Sequence, residues 1–263
     1  MNLLFCINPK FRPLLCQCLD SIVRNGGEKT YDAYILHSDL GAEAMAAIAA
    51  VSPRVRCRFL PVNAQDFEGF PESSRYPRQI YYRLAAPLLL PDTLDRILYL
   101  DVDTLVINPL RELYTMDFAG SYYIACTHVR AALTRLNDRR LDVPDGAPYV
   151  NTGVLLLNLP ALRETLTMEA IRQTALEKVG SFWLPDQDLL TVMHGDKILL
   201  ADTQKYNLSD RVLSIYNANP LHPRHDLAWV RENTVIIHYC GKNRPWNPHY
   251  IGVLGVFYQE LQK

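Results

Sequence analysis

The stretch ILYLDVDTLVINPL, from Ile97 to Leu110, sets two carboxylates one residue apart at the end of an apolar run. Arg96 to Leu100 has the length and apolar continuity of a buried strand, and Asp101 and Asp103 lie just past its carboxyl end. That edge of an open α/β sheet is where ligands bind, because the loops diverge there and leave a crevice. In an extended segment the two acids point to one side with Val102 opposite, so both reach one cation or, without it, repel each other. Oxygen ligands select hard cations such as Mg2+ or Mn2+, and those cations select diphosphates. Aspartate also caps turns at strand ends routinely, so the pair alone leaves cation binding and turn capping open.

Upstream, strands and helices alternate. Leu3 to Ile7 reads as a strand, and Arg12 to Arg24 as a helix with Leu14, Leu15, Leu19, Ile22 and Val23 on helical spacing. Tyr34 to Leu36 is strand-like, GAEAMAAIAA from Gly41 is a good helix, and Val55 to Leu60 returns to strand character. Such alternation predicts a parallel sheet covered on both faces. A Pro-, Ser- and Gly-containing loop from Val62 to Pro77 leads to a helix from Gln79 to Ala86 that is expected to end at Pro87. Downstream, Tyr122 to Cys126 and Gly153 to Asn158 read as strands and about Ala161 to Lys178 as one long helix, while LNDRRLDVPDGAP from Leu136 reads as a polar flap or acceptor-side loop. From Ser181 on the chain is rich in loops, with one clear apolar strand at Thr234 to Tyr239. No repeat, low-complexity tract or domain boundary appears, so a single α/β domain over residues 1–263 is expected.

The 263 residues are 49% apolar and 21% charged with net charge −1, without the basic excess that nucleic-acid binding needs, so no nucleic acid is expected as a partner. Cys6, Cys16, Cys18, Cys57, Cys126 and Cys240 fall mostly in apolar segments, and Cys16-Gln-Cys18 lacks the two-residue spacing of a zinc or redox pair. They read as reduced core thiols in a cytoplasmic protein. The opening MNLLFCINPK is too short and too soon interrupted for a signal peptide, and no uncharged run approaches the ~20 residues of a bilayer span. Peripheral membrane association stays compatible with this.

Asp-Val-Asp-Thr also fits the haloacid-dehalogenase phosphatase motif, with Asp101 as a nucleophile forming an aspartyl phosphate. That motif normally follows the first strand of its domain, whereas two strand-helix rounds come first here. Five segments in order, QIYYRLAAPLLLP from Gln79, ILYLDVDTLVINPL, YVNTGVLLLNL from Tyr149, LPDQDLL from Leu184 and IIHYCGKNRPW from Ile236, resemble the family 8 glycosyltransferases over nearly the whole chain. The resemblance implies a GT-A fold, an α/β, Rossmann-like mixed sheet flanked by helices. It implies transfer of galactose or glucose from UDP-galactose or UDP-glucose to a glycan or glycolipid acceptor, with retention of anomeric configuration and dependence on Mn2+ or Mg2+.

By the same resemblance, Asp101 and Asp103 are the metal-binding acids and His238 completes the shell, a role that a neutral imidazole suits chemically. Ile7, Asn8, Asp101 and Val102 fall at the nucleotide end. Gly241, Lys242 and Arg244 suit the diphosphate, since glycine permits close backbone approach and the cations supply charge as UDP leaves. Relatives often carry lysine directly before Pro-Trp, where this chain has Arg244, with Lys242 two residues earlier. Asn151, Asp186 and Gln187 match donor-sugar positions, Gln187 near the anomeric carbon, and Arg83 matches an arginine bridging sugar and phosphate; by itself a helix arginine is usually solvated. Asp188 is expected to support its loop or to cap a helix beginning at Leu189. Two departures bear on specificity: Pro9 after Asn8 removes a backbone donor, and His128 stands where many relatives have an acid. No Asp or Glu is nameable as a covalent nucleophile, which favours front-face attack by the acceptor hydroxyl. A phosphatase using Asp101 and a non-catalytic sugar-binding protein are the alternatives.

Overall fold

The computed structural model describes residues 1–73, 77–128, 131–177 and 182–263, residues 131–135 by their backbone alone. The first half of the chain runs β1 (Asn2–Cys6), α1 (Arg12–Asn25), β2 (Tyr31–His37), α2 (Ala42–Ala49), β3 (Val55–Pro61), α3 (Tyr82–Leu89), β4 (Arg96–Leu100), β5 (Thr104–Val106), α4 (Arg111–Tyr114) and β6 (Tyr123–Cys126). The second half runs α5 (Ala131–Leu141), β7 (Asn151–Asn158), α6 (Leu159–Thr165), α7 (Met168–Glu177), α8 (Pro185–His194), β8 (Ile198–Leu200), α9 (Thr203–Tyr206), α10 (Asp210–Asn217), α11 (Leu227–Asn233), β9 (Ile236–His238) and α12 (Gly255–Leu261).

Seven strands form one sheet in the order β3-β2-β1-β4-β7-β6-β8. The parallel pairing that strand-helix alternation predicts holds from β3 to β4, but β7 is antiparallel to both of its neighbours, so the sheet is mixed. The connection explains the reversal. Cys126 at the end of β6 pairs with Asn151 at the start of β7, so the intervening segment leaves and returns at the same sheet edge. An apolar run buried on both faces carries no mark of its direction.

Alternate residues feed two cores. Leu3, Phe5, Leu98, Leu100, Val154 and Leu156 pack with Leu15, Leu19 and Ile22 of α1 and Ile48 of α2, while Leu4, Ile97, Tyr99, Leu155 and Leu157 pack with residues of α3, α6, α7 and α8. Helices on both faces make the central strands β1, β4 and β7 apolar on both sides. A third cluster joins Leu105 of β5 and Ile237 of β9 to Leu213, Val230 and Phe257 of α10, α11 and α12. All six cysteines are free thiols. Among the described residues, no helix is long and apolar enough to cross a membrane.

Three expected boundaries move. Helix α3 runs through Pro87 to Leu89, and the Arg163 guanidinium gathers the carbonyls of Pro87, Leu90, Pro91, Asp92 and Leu94 at its end. The long helix expected over Ala161 to Lys178 is instead two, because Leu166 is extended and the Thr167 hydroxyl accepts from Ala170 N–H to start α7 afresh. LNDRRLDVPDGAP is helical through Leu141, with only the remainder a loop. Its polar residues hid the helix because two of them find partners within the fold: the buried Asp138 accepts from Gly146 N–H, and the partly buried Arg140 pairs with Asp188. Lys178, Ser181 and residues 74–76 of the expected loop lie outside the described residues.

Candidate active site

At the carboxyl edge of β4 the chain turns. Thr104 N–H and its hydroxyl both donate to Asp101 O, at 3.1 and 2.7 Å, so Asp101 to Asp103 form a turn and not the extended segment expected. The Asp101 backbone carbonyl closes this turn, and the two carboxylates converge through it. β5 then pairs with β9, setting Thr104 opposite His238. That register brings His238 Nε2 to 3.2 Å from Asp103 Oδ1 and 3.7 Å from Asp101 Oδ2. Asp101, Asp103 and His238 thus offer one ligand atom each, all within 4.8 Å of one another. Two carboxylate oxygens and an imidazole nitrogen suit a hard or borderline divalent cation.

Gly153 of β7 makes the cluster possible. Its carbonyl accepts from Asp101 N–H at 2.7 Å, and a Cβ there would lie 2.2 Å from His238 Cε1 and 2.9 Å from Asp101 Oδ2. A glycine inside a strand often marks such close approach.

Arg83 is buried, contrary to the solvated reading of a lone helix arginine. Its Nη1 reaches Asp101 Oδ1 at 3.1 Å, Asp186 Oδ2 at 3.4 Å and Thr152 O at 3.0 Å, and its guanidinium lies 4.5 Å over the Tyr99 ring. Tyr99 and Thr152 hydroxyls donate to Asp101 Oδ1 and Asp186 Oδ2, each at 2.5 Å. Burial pushes the Asp101 carboxyl up, Arg83 opposing and Asp103 adding to the rise. At Asp103 burial pushes the same way, but His238, by charge and hydrogen bond, and Arg244 outweigh it and hold the carboxyl below its usual range. His238 is the mirror case: burial disfavours its protonation, yet Asp103 and then Asp101 raise it above the ordinary histidine value.

The basic loop divides. Gly241 has φ +95°, and Lys242 is exposed with no ion pair to the cluster among the described residues. Arg244 Nη2 sits 3.2 Å from Asp103 Oδ2, its guanidinium lies 5.6 Å from the Trp246 ring centre, and its buried Nε has no partner. The structure therefore brings Arg244 to the acids. Of the residues expected at a nucleotide, Ile7 is fully buried, Val102 is partly buried against the core, and Asn8 Oδ1 accepts from Lys10 N–H to start a short 3-10 turn beginning at Pro9.

Asp186 and Gln187 lie in the first turn of α8, which starts at Pro185, four residues before the expected Leu189. Gln187 is partly exposed, and its side chain makes no hydrogen bond among the described residues. Asp188 is fully buried and accepts from Trp183 and Leu184 N–H, the Tyr149 hydroxyl and both ends of the Arg140 fork, so it supports the loop. Asn151 Oδ1 accepts from Gly153 N–H at 3.1 Å and from Asn207 Nδ2 at 3.0 Å. His128 donates through Nε2 to Asn207 O at 2.9 Å; burial, then His238, pushes its pKa down to about 4 and keeps it neutral. Sequence reasoning missed Gly153, Tyr99, Thr152 and Asn207 as members of this network. Only Gly153, interrupting an apolar strand, carried a readable signal.

The family model described as glycosyl transferase family 8 matches residues 2–249. General stress protein A of Bacillus subtilis strain 168 is 30% identical over 205 residues, 73% of this chain and 68% of that protein. A lipopolysaccharide 1,2-glucosyltransferase of Escherichia coli is 26% identical over 233 residues, 86% of this chain and 67% of that one. The crystal structure of the galactosyltransferase LgtC in complex with donor and acceptor sugar analogs superimposes with a TM-score of 0.83 at 25% identity, covering 99% of this chain and 95% of that one.

Proposed function

The chain belongs to glycosyl transferase family 8, and from that premise we propose that it transfers a hexose, galactose or glucose, from a UDP-sugar to a glycan or glycoconjugate acceptor, with retention and with Mn2+ or Mg2+. The observation that carries this reading is the convergence of Asp101, Asp103 and His238 at the carboxyl edge of β4, beside the buried Arg83 and Asp186. The match over nearly the whole chain sets aside the phosphatase reading of Asp101, which also sits after the fourth strand and not the first.

Asp101, Asp103 and His238 hold the cation, and the absence of a Cβ on Gly153 keeps room for their approach. When bound, the cation offsets negative charge building on the UDP leaving group. Arg244 adds a fixed positive charge at the same place, with Gly241 and Lys242 completing the diphosphate loop. Ile7, Asn8 and Val102 flank the nucleotide. Arg83 holds Asp101 and Asp186 in fixed relation, so the metal-side acid and the sugar-side acid move as one unit. Asp186 and Asn151 bind donor hydroxyls, and Gln187, whose side chain is free of partners among the described residues, faces the anomeric centre. Asp186 is already held by Arg83 and Thr152, which favours front-face attack by the acceptor hydroxyl over a covalent glycosyl-enzyme. A relative named as a lipopolysaccharide 1,2-glucosyltransferase supports a glycan or glycolipid acceptor; the reaction is placed in the cytoplasm, with peripheral membrane contact, a compartment that six free thiols fit.

The test is release of UDP from UDP-galactose and UDP-glucose with Mn2+, followed by NMR of the product anomer. One donor is expected to be hydrolysed or transferred with its anomeric configuration kept. Inversion contradicts the mechanism, and binding without turnover marks a sugar-binding protein that is not an enzyme.

A further inference from the structure

The metal-side cluster and Asn151 meet at one buried amide. Resting on the reading above, we propose that Asn207 is a positioning residue that fixes at once which nitrogen His238 offers to the cation and which end of Asn151 faces the donor sugar. The assignment starts from a backbone group whose polarity is certain. Gly153 N–H, 3.1 Å from the Asn151 side chain, is a donor, so the atom facing it is Asn151 Oδ1. The Asn207 atom 3.0 Å from that same oxygen must then donate, and is Nδ2. The other end of the Asn207 amide, Oδ1, therefore stands 2.9 Å from His238 Nδ1, and that nitrogen carries the hydrogen.

Two consequences follow for the site. In the neutral ring His238 Nε2 keeps its lone pair, 3.2 Å from Asp103 Oδ1 and 3.7 Å from Asp101 Oδ2, where a cation shared with the acids would be held. Asn151 Nδ2 is left without a partner among the described residues, so Asn151 presents donors to a ligand hydroxyl. Asn207 is itself held: it is fully buried, its carbonyl accepts from His128 Nε2 at 2.9 Å, and its N–H donates to Thr203 O at 3.0 Å. A backbone donor in β7 thus orients a metal ligand on β9 through two side-chain amides. Partners that hold the far nitrogen of a ligating histidine set its ring orientation and basicity.

Asn207→Leu removes both links at similar volume. Asn207→Asp keeps an oxygen for His238 but sets a second oxygen against Asn151 Oδ1. Mn2+ affinity is measured without nucleotide by electron paramagnetic resonance, alongside thermal melting and donor KM and kcat. Asn207→Leu is expected to lose roughly 10–100-fold in Mn2+ affinity. Asn207→Asp is expected to keep Mn2+ affinity within about threefold, inside the factor by which such contributions vary with context, while donor KM rises more than kcat falls. Equal losses in both variants, or wild-type Mn2+ affinity in Asn207→Leu, overturn the proposal. Imidazole nitrogen shifts of the wild type loaded with diamagnetic Mg2+ test it without any variant: His238 is expected to carry its hydrogen on Nδ1 and to be bare at Nε2, and the reverse overturns it. A wild type that binds no Mn2+ overturns instead the reading of the cluster on which this rests.

Discussion

Gly153→Ala adds one methyl group at the closest backbone approach to the cluster. The new Cβ would lie 2.2 Å from His238 Cε1, 2.8 Å from Nδ1 and 2.9 Å from Asp101 Oδ2, where ordinary contact begins at 3.4 Å. The ring must therefore retreat by about 3.4 − 2.2 = 1.2 Å, or β7 must move with it. Neither neighbour yields easily, because His238 is held by Asn207 and Asp103 and Asp101 by Arg83 and Tyr99. Metal sites tolerate roughly ±0.2 Å in ligand distance, so the displacement is several times what the site can absorb. Overpacking of this kind costs about 1–3 kcal/mol of stability. Mn2+ affinity should fall by at least ~10–100-fold, as it does when a ligand loses its orientation. The assay is Mn2+ titration beside urea unfolding, with Val154→Ala as the control: it opens the core one residue away and should destabilise without touching Mn2+ affinity. Wild-type Mn2+ binding by Gly153→Ala would refute the packing argument, whatever its stability.

Arg83→Met leaves the buried Asp186 and the partly exposed Asp101 without their shared cation; breaking a fully buried pair costs about 3–5 kcal/mol, and here the cost is lowered by the solvent at Asp101 and by its taking up a proton; an unchanged urea midpoint would show that the pairing is not structural. Arg244→Ala should weaken UDP binding more than Lys242→Ala, since only Arg244 reaches Asp103, and isothermal titration of both variants ranks them. Mn2+ affinity should rise with pH. His238 is raised above its ordinary value and must lose its proton to ligate, so each pH unit below that raised value costs about tenfold in affinity for one displaced proton. Titrations in buffers of different ionisation enthalpy report the proton released, and a pH-independent affinity with no release would contradict the assignment of His238.

Much of this was readable along the chain. Apolar continuity marked β4, the placement of Asp101 and Asp103 at its end marked the functional edge, and His238 closing a short apolar strand completed the set. The convergence itself needed tertiary structure: a turn, and not strand alternation, aims the two acids, and the β5 to β9 pairing delivers a residue more than a hundred positions away. Arg83 looked like a surface arginine because nothing local announces Asp101 and Asp186 as its partners. The helix ending at Leu141 was hidden for the same reason, its polar residues being satisfied by distant groups such as Asp188 and Gly146. Asn207 carried no signal at all, since its role exists only where β7 and β9 come together.

Thermal unfolding with UDP and Mn2+, separately and together, on the wild type and on Asp103→Ala bears most directly on the nucleotide-sugar site. Ligand at a hundredfold its Kd stabilises the folded state by about 2.7 kcal/mol, a rise in Tm of roughly 5–10 °C for a chain of this size. The wild type should show that rise only when UDP and Mn2+ are both present, and Asp103→Ala should lose it. A wild type indifferent to UDP in the presence of Mn2+, or an Asp103→Ala variant that responds as fully as the wild type, would contradict the site described.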